Sequence, residues 1–286
     1  MSGQSIASSR WFAKKAARMV FGGGGSVAGR VFRSSEPQIR VLTYHRFGEG
    51  VHAPFTISAH QFEQEMAYLA KSGRAVSLAE VEAFAAGNAE LKCGSVLVTF
   101  DDGDPTVRTI AMPILQRYGI PSVVYALSGQ PKGFDLMSFS ELREIQTGGI
   151  TIGSHSISHR SFGQLSRDEA LQELVESKSV LENELGVAIN SFAYPFGTKK
   201  DITPQVVACV REAGYTTAFS SLHGPIVSGS ASQDLLNLPR VKVESGDPAW
   251  LFPALCDGAM DGWRIVDTSL AGLQKPAEEH REAAAA

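Results

Sequence analysis

Cysteine is scarce in this sequence: Cys93, Cys209 and Cys256 are the only three in 286 residues, scattered and without a Cys-x-x-Cys pair. A disulfide framework and a thiolate zinc site are therefore not expected, and a reducing compartment is the simpler setting. No run reaches the roughly 18 apolar residues that a membrane-spanning helix needs, so no transmembrane anchor is expected. Positive charge is not in excess either. The net charge is −4, which argues against a general nucleic-acid binder. What remains is 43% hydrophobic and 20% charged, enough to bury a core, and it excludes a mainly disordered or collagen-like chain. The length suits one large domain or two small ones.

The charge is unevenly placed. Residues 1–40 hold seven Lys or Arg against Glu36 alone, a local charge of +6 that leaves −10 for the rest. Within this leader, Phe12, Ala16 and Met19 recur at helical spacing, and Arg10, Lys14 and Arg18 repeat every four residues. That pattern gives one apolar and one basic face, read either as a solvated tail or as a surface helix in which residues 10–20 meet an anionic membrane. Lys14, Lys15 and Arg18 interrupt the apolar part, so it makes a poor secretion signal. Gly22 to Gly25 lack a following Gly-Lys-Ser/Thr and read as a linker, not a phosphate loop. The expected organisation is a leader over 1–38, one catalytic domain over 39–270 and a polar tail over 271–286.

Between these ends short apolar strands alternate with amphipathic helices. Strands are expected at Arg40–Tyr44, Val96–Phe100, Pro121–Leu127, Gly149–Gly153, Asn190–Tyr194, Tyr215–Phe219 and Leu236–Val243. Helices are marked by Ser58 with Gln61, Ser77 with Glu80, Ser138 with Glu141, Ser166 with Glu169, and Thr203 before Pro204. Thr106–Tyr118 reads as a helix bent at Pro113. About seven such repeats imply an α/β fold, a distorted (β/α)7 barrel, in which chemistry sits at the C-terminal ends of the strands.

Those ends carry the polar residues. Val96–Phe100 runs into Asp101-Asp102-Gly103, two carboxylates that are costly beside a core unless paired, hydrated or bound to a cation. Asp-Asp-Gly is also ordinary turn chemistry. The strand ending at Gly153 is followed by Ser154-His155-xxx-His159, and histidines four apart on a helical turn have metal-ligand spacing. Two imidazoles and a carboxylate leave a coordination position open, as catalytic zinc sites do. Asn190–Tyr194 leads into Pro195-Phe196-Gly197, either a turn with an aromatic plug or a tight loop aiming an N–H at an oxyanion. His45 ends the first strand.

Thr99-Phe100-Asp101-Asp102-Gly103, Ser154-His155-xxx-His159 and Phe192-Ala193-Tyr194-Pro195-Phe196-Gly197 together resemble the polysaccharide deacetylase family, the NodB-homology group or carbohydrate esterase family 4. Val41-Leu42-Thr43-Tyr44-His45-Arg46 looks most like its bacterial exopolysaccharide, poly-N-acetylglucosamine N-deacetylase branch. The resemblance spans roughly residues 40–245. It implies a metal-dependent hydrolase removing N-acetyl groups from an amino-sugar polysaccharide or glycan precursor. Asp101 would be the general base, and Asp102, His155 and His159 the ligands of a divalent metal, Zn²⁺ first, with Co, Ni, Fe or Mn as alternatives. The Phe196 N–H would be the oxyanion donor, and Tyr194, Pro195 and Phe196 would touch the substrate.

Two departures from the family pattern matter. Ala193 stands where an arginine usually pairs with the base. The late Leu-x-His that supplies the acid histidine has no clear counterpart: Leu222-His223 is early, and Leu238-Pro239-Arg240 occupies the stretch where it would be sought. His45 and His223 are the candidate acids. The alternatives are a carbohydrate-binding relative without turnover and a metal hydrolase of another amide. The expected location is cytoplasmic or peripheral at the inner membrane face, with export by an atypical leader as the other reading.

Overall fold

Seven parallel β segments wrap into a barrel whose C-terminal ends share one face. The structure, a computed structural model, describes residues 12, 15–25, 37–49 and 53–269. In chain order the elements are α1 (15–25), β1 (Gln38–Tyr44), β2 (Arg46–Phe47), β3 (Thr56–Ile57), α2 (Ala59–Ser72), α3 (Leu78–Ala85) and β4 (Val96–Phe100). A π-helical turn, Val107–Ala111, then runs into α4 (Met112–Tyr118). There follow β5 (Ser122–Ala126), α5 (Phe139–Thr147), β6 (Thr151–Ser154), α6 (Arg167–Leu185), β7 (Ser191–Ala193), α7 (Pro204–Glu212), β8 (Thr217–Phe219), β9 (Ile226–Val227), β10 (Val241–Lys242), α8 (Leu251–Cys256) and α9 (Arg264–Ser269).

The sheet runs β10-β1-β4-β5-β6-β7-β8, all parallel, with β9 added antiparallel to β1. Closure comes from one short segment. Leu238 pairs with Phe219 at the end of β8, and three residues later Val241 pairs with Leu42 of β1. The expected distorted barrel is therefore the one formed. No helix among the described residues is long and apolar enough to cross a membrane.

Strand alternation divides the core. Val41, Leu97, Val123, Tyr125, Ala193, Phe219 and Leu238 fill the barrel interior, closed below by Val81 and Phe84 of α3. Leu42, Val98, Val124, Phe192 and Ala218 face outward, under Phe62, Ile114, Ile145, Leu174 and Val210 of the surrounding helices. Gly153 makes room inside: a Cβ there would meet the Tyr125 ring at 2.5 Å.

The caps form where the sequence places them. Ser77, Ser138 and Ser166 each accept from the third helical N–H while Glu80, Glu141 and Glu169 reach back. Ser58 caps α2, but Gln61 does not complete a box; its amide goes to Glu65 instead. Pro113 falls at the start of α4, where the π turn ends, so the ladder is reorganised rather than simply bent.

The leader differs from expectation. Two of its basic residues, Lys15 and Arg18, are turned into the protein, not toward solvent. Lys15 and Arg18 are buried against Glu244 and Asp247, with Arg18 held by Asp247 at 2.7 Å and by the Lys242 carbonyl at 3.0 Å. The two carboxylates offset the desolvation of these buried cations. The expected glycine linker is the end of helix α1 through residue 25, pressed on Leu251 and Ala259. The other leader positions, and the tail beyond 269, lie outside the described residues.

Candidate metal centre and catalytic face

Strand parity delivers the first carboxylate. Leu97, Thr99 and Asp101 share the inward side of β4, and Asp101 is buried at the barrel mouth. The Arg240 guanidinium meets it in a bidentate pair, Nη1 to Oδ1 and Nη2 to Oδ2, each at 2.7 Å. Arg240 is itself wholly buried, donates to the Ser220 carbonyl and lies over the Tyr125 ring. Burial would raise the Asp101 carboxyl, but Arg240, then His155 and His45, pull it below the usual carboxylate range. Asp101 is thus ionised and fixed in orientation. Arg240, on the segment that closes the barrel, stands in for the arginine missing at Ala193, and no local pattern marks it in the sequence.

The three proposed metal ligands converge. Asp102 Oδ1 lies 3.5 Å from His155 Nε2 and 3.3 Å from His159 Nε2. All three ligand atoms fall within 4.8 Å of one another. Two donors roughly 2.0–2.1 Å from a tetrahedral zinc ion stand about 3.3 Å apart, so the spacing fits such an ion. Asp102 Oδ1 is buried without a hydrogen-bond donor in place, an orphaned acceptor that a cation satisfies. The imidazoles His159, His45 and His155 hold its carboxyl far below the ordinary range against the opposing effect of burial. His155 Nδ1 sits 2.8 Å from the Ala193 carbonyl, which can only accept. Its proton is therefore on Nδ1, and the Nε2 lone pair faces Asp102. Burial lowers His155 to about 4, so it is neutral near pH 7.

The loop holding the histidines is not the helical turn expected from their spacing. Residues 155–161 are irregular, and Ser156 and His159 take left-handed backbone, φ 73° and 56°. With Asp102 (φ 74°) and Phe196 (φ 59°) they are the four non-glycine residues at positive φ among the described residues. All four lie at this face, and such backbone costs on the order of 1–3 kcal/mol each unless the surroundings hold it.

Phe196 flanks the centre, its ring 4.6 Å from that of His159, with Phe134 at 5.1 Å. Its N–H donates to no other described residue. Gly197 lets this loop approach Ser221, whose nitrogen a Cβ would meet at 2.6 Å. Pro195 is buried. Tyr194 corrects expectation: it is fully buried on the helix side of β7, its hydroxyl donating to the Leu236 carbonyl at 2.7 Å. Strand parity turns its ring away from the barrel mouth. Phe139 also packs against the core.

The two candidate acids separate. His45 is half-buried, its ring 4.6 Å from Phe55, and it feels the charges of Asp102, Asp101, Arg240 and His159. Burial, the largest influence, lowers its pKa. His223 is not brought to the triad. It is buried with Nδ1 2.8 Å from Asp267, beside Trp263, and its charged neighbours are Asp267, Lys242 and Arg18.

Two supporting groups escaped the sequence reading. Glu173 and Ser177 lie on the buried stripe of α6 with Leu174 and Leu181. Ser177 bonds Ser154 at 2.8 Å, and Glu173 bonds the histidine loop. Their signal was helical phase: i−1 and i+3 of Leu174.

Comparison with known proteins agrees with this geometry. The polysaccharide deacetylase family model matches residues 88–218. A poly-beta-1,6-N-acetyl-D-glucosamine N-deacetylase of Staphylococcus aureus is 26% identical over 181 residues, covering 58% of this chain and 61% of the relative, so the chain spans about three-fifths of that protein. Among solved structures, IcaB from Ammonifex degensii superposes with TM-score 0.65 at 26% identity, over 78% of this chain and 97% of that one. The Streptococcus pyogenes deacetylase PplD, in complex with acetate, superposes with TM-score 0.68 at 22% identity, over 76% and 97%, a likeness of fold. Residues 88–218, which carry Asp101, Asp102, His155, His159 and Phe196, match the polysaccharide deacetylase family model.

Proposed function

We propose that the protein is a hydrolase that removes N-acetyl groups from an N-acetylglucosamine polymer or its glycan precursor, using one divalent cation. The observation that carries this reading is the juxtaposition at one barrel mouth of a cation-shaped Asp-His-His group and an ionised carboxylate clamped by a buried arginine. A divalent cation held by Asp102, His155 and His159, zinc by the donor set, supplies Lewis acidity for polarising an acetyl carbonyl and acidifying water.

The chain's own groups do the rest. Asp101 accepts the proton of the attacking water as its oxygen bonds the acetyl carbon. Arg240 keeps that carboxylate ionised and aimed. The Phe196 N–H donates to the developing oxyanion, an interaction of a kind whose loss typically costs about 2.7–4 kcal/mol. His45 gives a proton to the sugar nitrogen as the C–N bond breaks, leaving acetate and a free amine. The Asp102 and Asp101 carboxylates favour the protonated imidazole that this step needs, against the larger opposing effect of burial. Phe134 and Phe196 beside His159, and Phe55 beside His45, give the mouth apolar rings against which pyranose faces can lie.

Acetate release from β-1,6-linked N-acetylglucosamine oligomers, measured with added zinc or cobalt, tests the reading. Turnover is expected, and Asp101→Asn should lower it by at least about 10²-fold while keeping the metal. Oligomer binding without acetate release would instead indicate a non-catalytic relative, and release from non-sugar amides alone would indicate another substrate class.

A further inference from the structure

The His155–His159 loop is irregular and left-handed at two positions, yet it supplies two of the three proposed ligands. What holds it is a carboxylate one helix away. Glu173 of α6 is 8% exposed. Its Oε2 accepts from the backbone N–H of Ile157 at 2.9 Å and of Ser158 at 3.1 Å, and its Oε1 takes the Ser158 hydroxyl in a short contact. Among the described residues no Lys or Arg pairs with it, so loop donors are its compensation for burial. The next residue is fixed from within the loop, the His159 N–H donating to Ser156 Oγ at 3.2 Å. On the other side the loop carbonyls of Ser156 and Ile157 accept from Ser128 and Gly129.

We infer that Glu173 is a positioning residue for the metal centre: by gathering three donors of residues 157 and 158 it holds His159 in the left-handed conformation that turns its Nε2 toward Asp102. The inference rests on the Asp102-His155-His159 reading. A buried carboxylate without a counter-ion is a poor choice for packing alone; a leucine in this phase of α6 would continue the apolar stripe without a desolvation penalty. Its acceptors suit donors pointing one way, which a strained loop presents and a relaxed one does not. Groups in such supporting positions commonly tune metal affinity by about 10–100-fold.

The test compares wild type with Glu173→Gln and Ser158→Ala. Zinc and cobalt affinities are measured by competition with a chromogenic chelator, and amide hydrogen exchange is measured on the metal-free proteins. Glu173→Gln should bind zinc about 10–100-fold more weakly. It should lose exchange protection at residues 157–159 while the strands of the barrel keep theirs, and acetate release at limiting metal should recover when zinc is added in excess. Ser158→Ala, which removes one donor and leaves the carboxylate in place, should show the same pattern with a smaller loss. Unchanged affinity and unchanged local exchange in both variants would overturn the inference. So would a loss of activity that excess metal does not restore in a folded Glu173→Gln protein. Should Glu173→Gln not fold, Ser158→Ala decides by the same two readouts. A wild type that binds no metal would refute the metal centre itself, and the exchange measurement would still decide whether Glu173 holds the loop.

Discussion

Arg240 carries a full charge into a site with no solvent exposure, and only the Asp101 carboxylate neutralises it. Removing one member of a buried pair leaves the other desolvated and alone, at a cost of about 3–5 kcal/mol. Arg240→Ala should therefore lower unfolding free energy by that order and abolish turnover, whereas Arg240→Lys should keep the charge, lose the two-pronged geometry and fall between. Denaturant melts and acetate release on the same preparations check both, and an Arg240→Ala protein of wild-type stability would refute the pairing. Glu65 gives a pH test of opposite sign to most carboxylates. Burial raises it to about 7, despite its hydrogen bonds from Tyr44 and Gln61. Between the ordinary value near 4.5 and about 7 the native state holds a proton that the unfolded chain has released, so stability falls as pH rises through this window. Glu65→Gln should stabilise the protein at pH 8 by on the order of 3 kcal/mol and have little effect at pH 4.5; equal effects at both pH values would contradict the shift. Asp101, Asp102, His155 and His159 were legible because two polar clusters follow strands of one sheet at the same end, where turn chemistry alone explains either cluster but not their coincidence. Arg240 was not. Its partner lies 139 residues away, and nothing local separates an arginine paired inside a barrel from one in water. Tyr194 was misread for want of strand parity: Ala193 took the inward place, and the tyrosine went to the helix side.

At the scale of elements, capping residues located α2, α3, α5, α6 and α7, because a side-chain acceptor at the helix start satisfies exposed N–H groups, whereas α4 follows a π turn with Ala111 at its N-cap and no side-chain cap. The short pieces were illegible. β2, β3, β9, α8 and α9 run from two to six residues and exist by tertiary pairing, not by pattern. The described residues of α1 do not follow the amphipathic reading. Met19 and Val20 are exposed while Arg18 is wholly buried, since acidic Glu244 and Asp247 wait at the end of β10. The periodicity of a single segment cannot reveal a charged partner more than 200 residues away. The helix is thus an integral part of the domain. Arg18→Ala, or deletion of residues 1–25, should lower the denaturation midpoint by leaving two carboxylates buried and under-compensated, a loss of about 3 kcal/mol or more. Chemical denaturation measures this, and an unchanged midpoint for both would mean that α1 contributes nothing to the fold.

On the scale of the whole molecule, one topological event assembles the chemistry. The segment from Leu238 to Lys242 stitches β8 to β1, and that closure carries Arg240 to Asp101 while β4, β6 and β7 present the carboxylates, the histidines and Phe196 at the same rim. Alternating strands and helices foretold the barrel and the end at which to look. The expected strand Leu236–Val243 marks the closing segment, but not its division at Pro239 into a bridge from Leu238 to Phe219 and a short β10 paired with β1, which leaves Arg240 between the two. The account stands on the convergence of Asp102, His155 and His159 on one ion. Its most direct test is the metal content of purified protein dialysed against zinc, by elemental analysis, for wild type beside Asp102→Ala and His155→Ala. The account expects one tightly held equivalent in the wild type and little or none in either variant. Wild type without bound metal, or variants that retain a full equivalent, would contradict it.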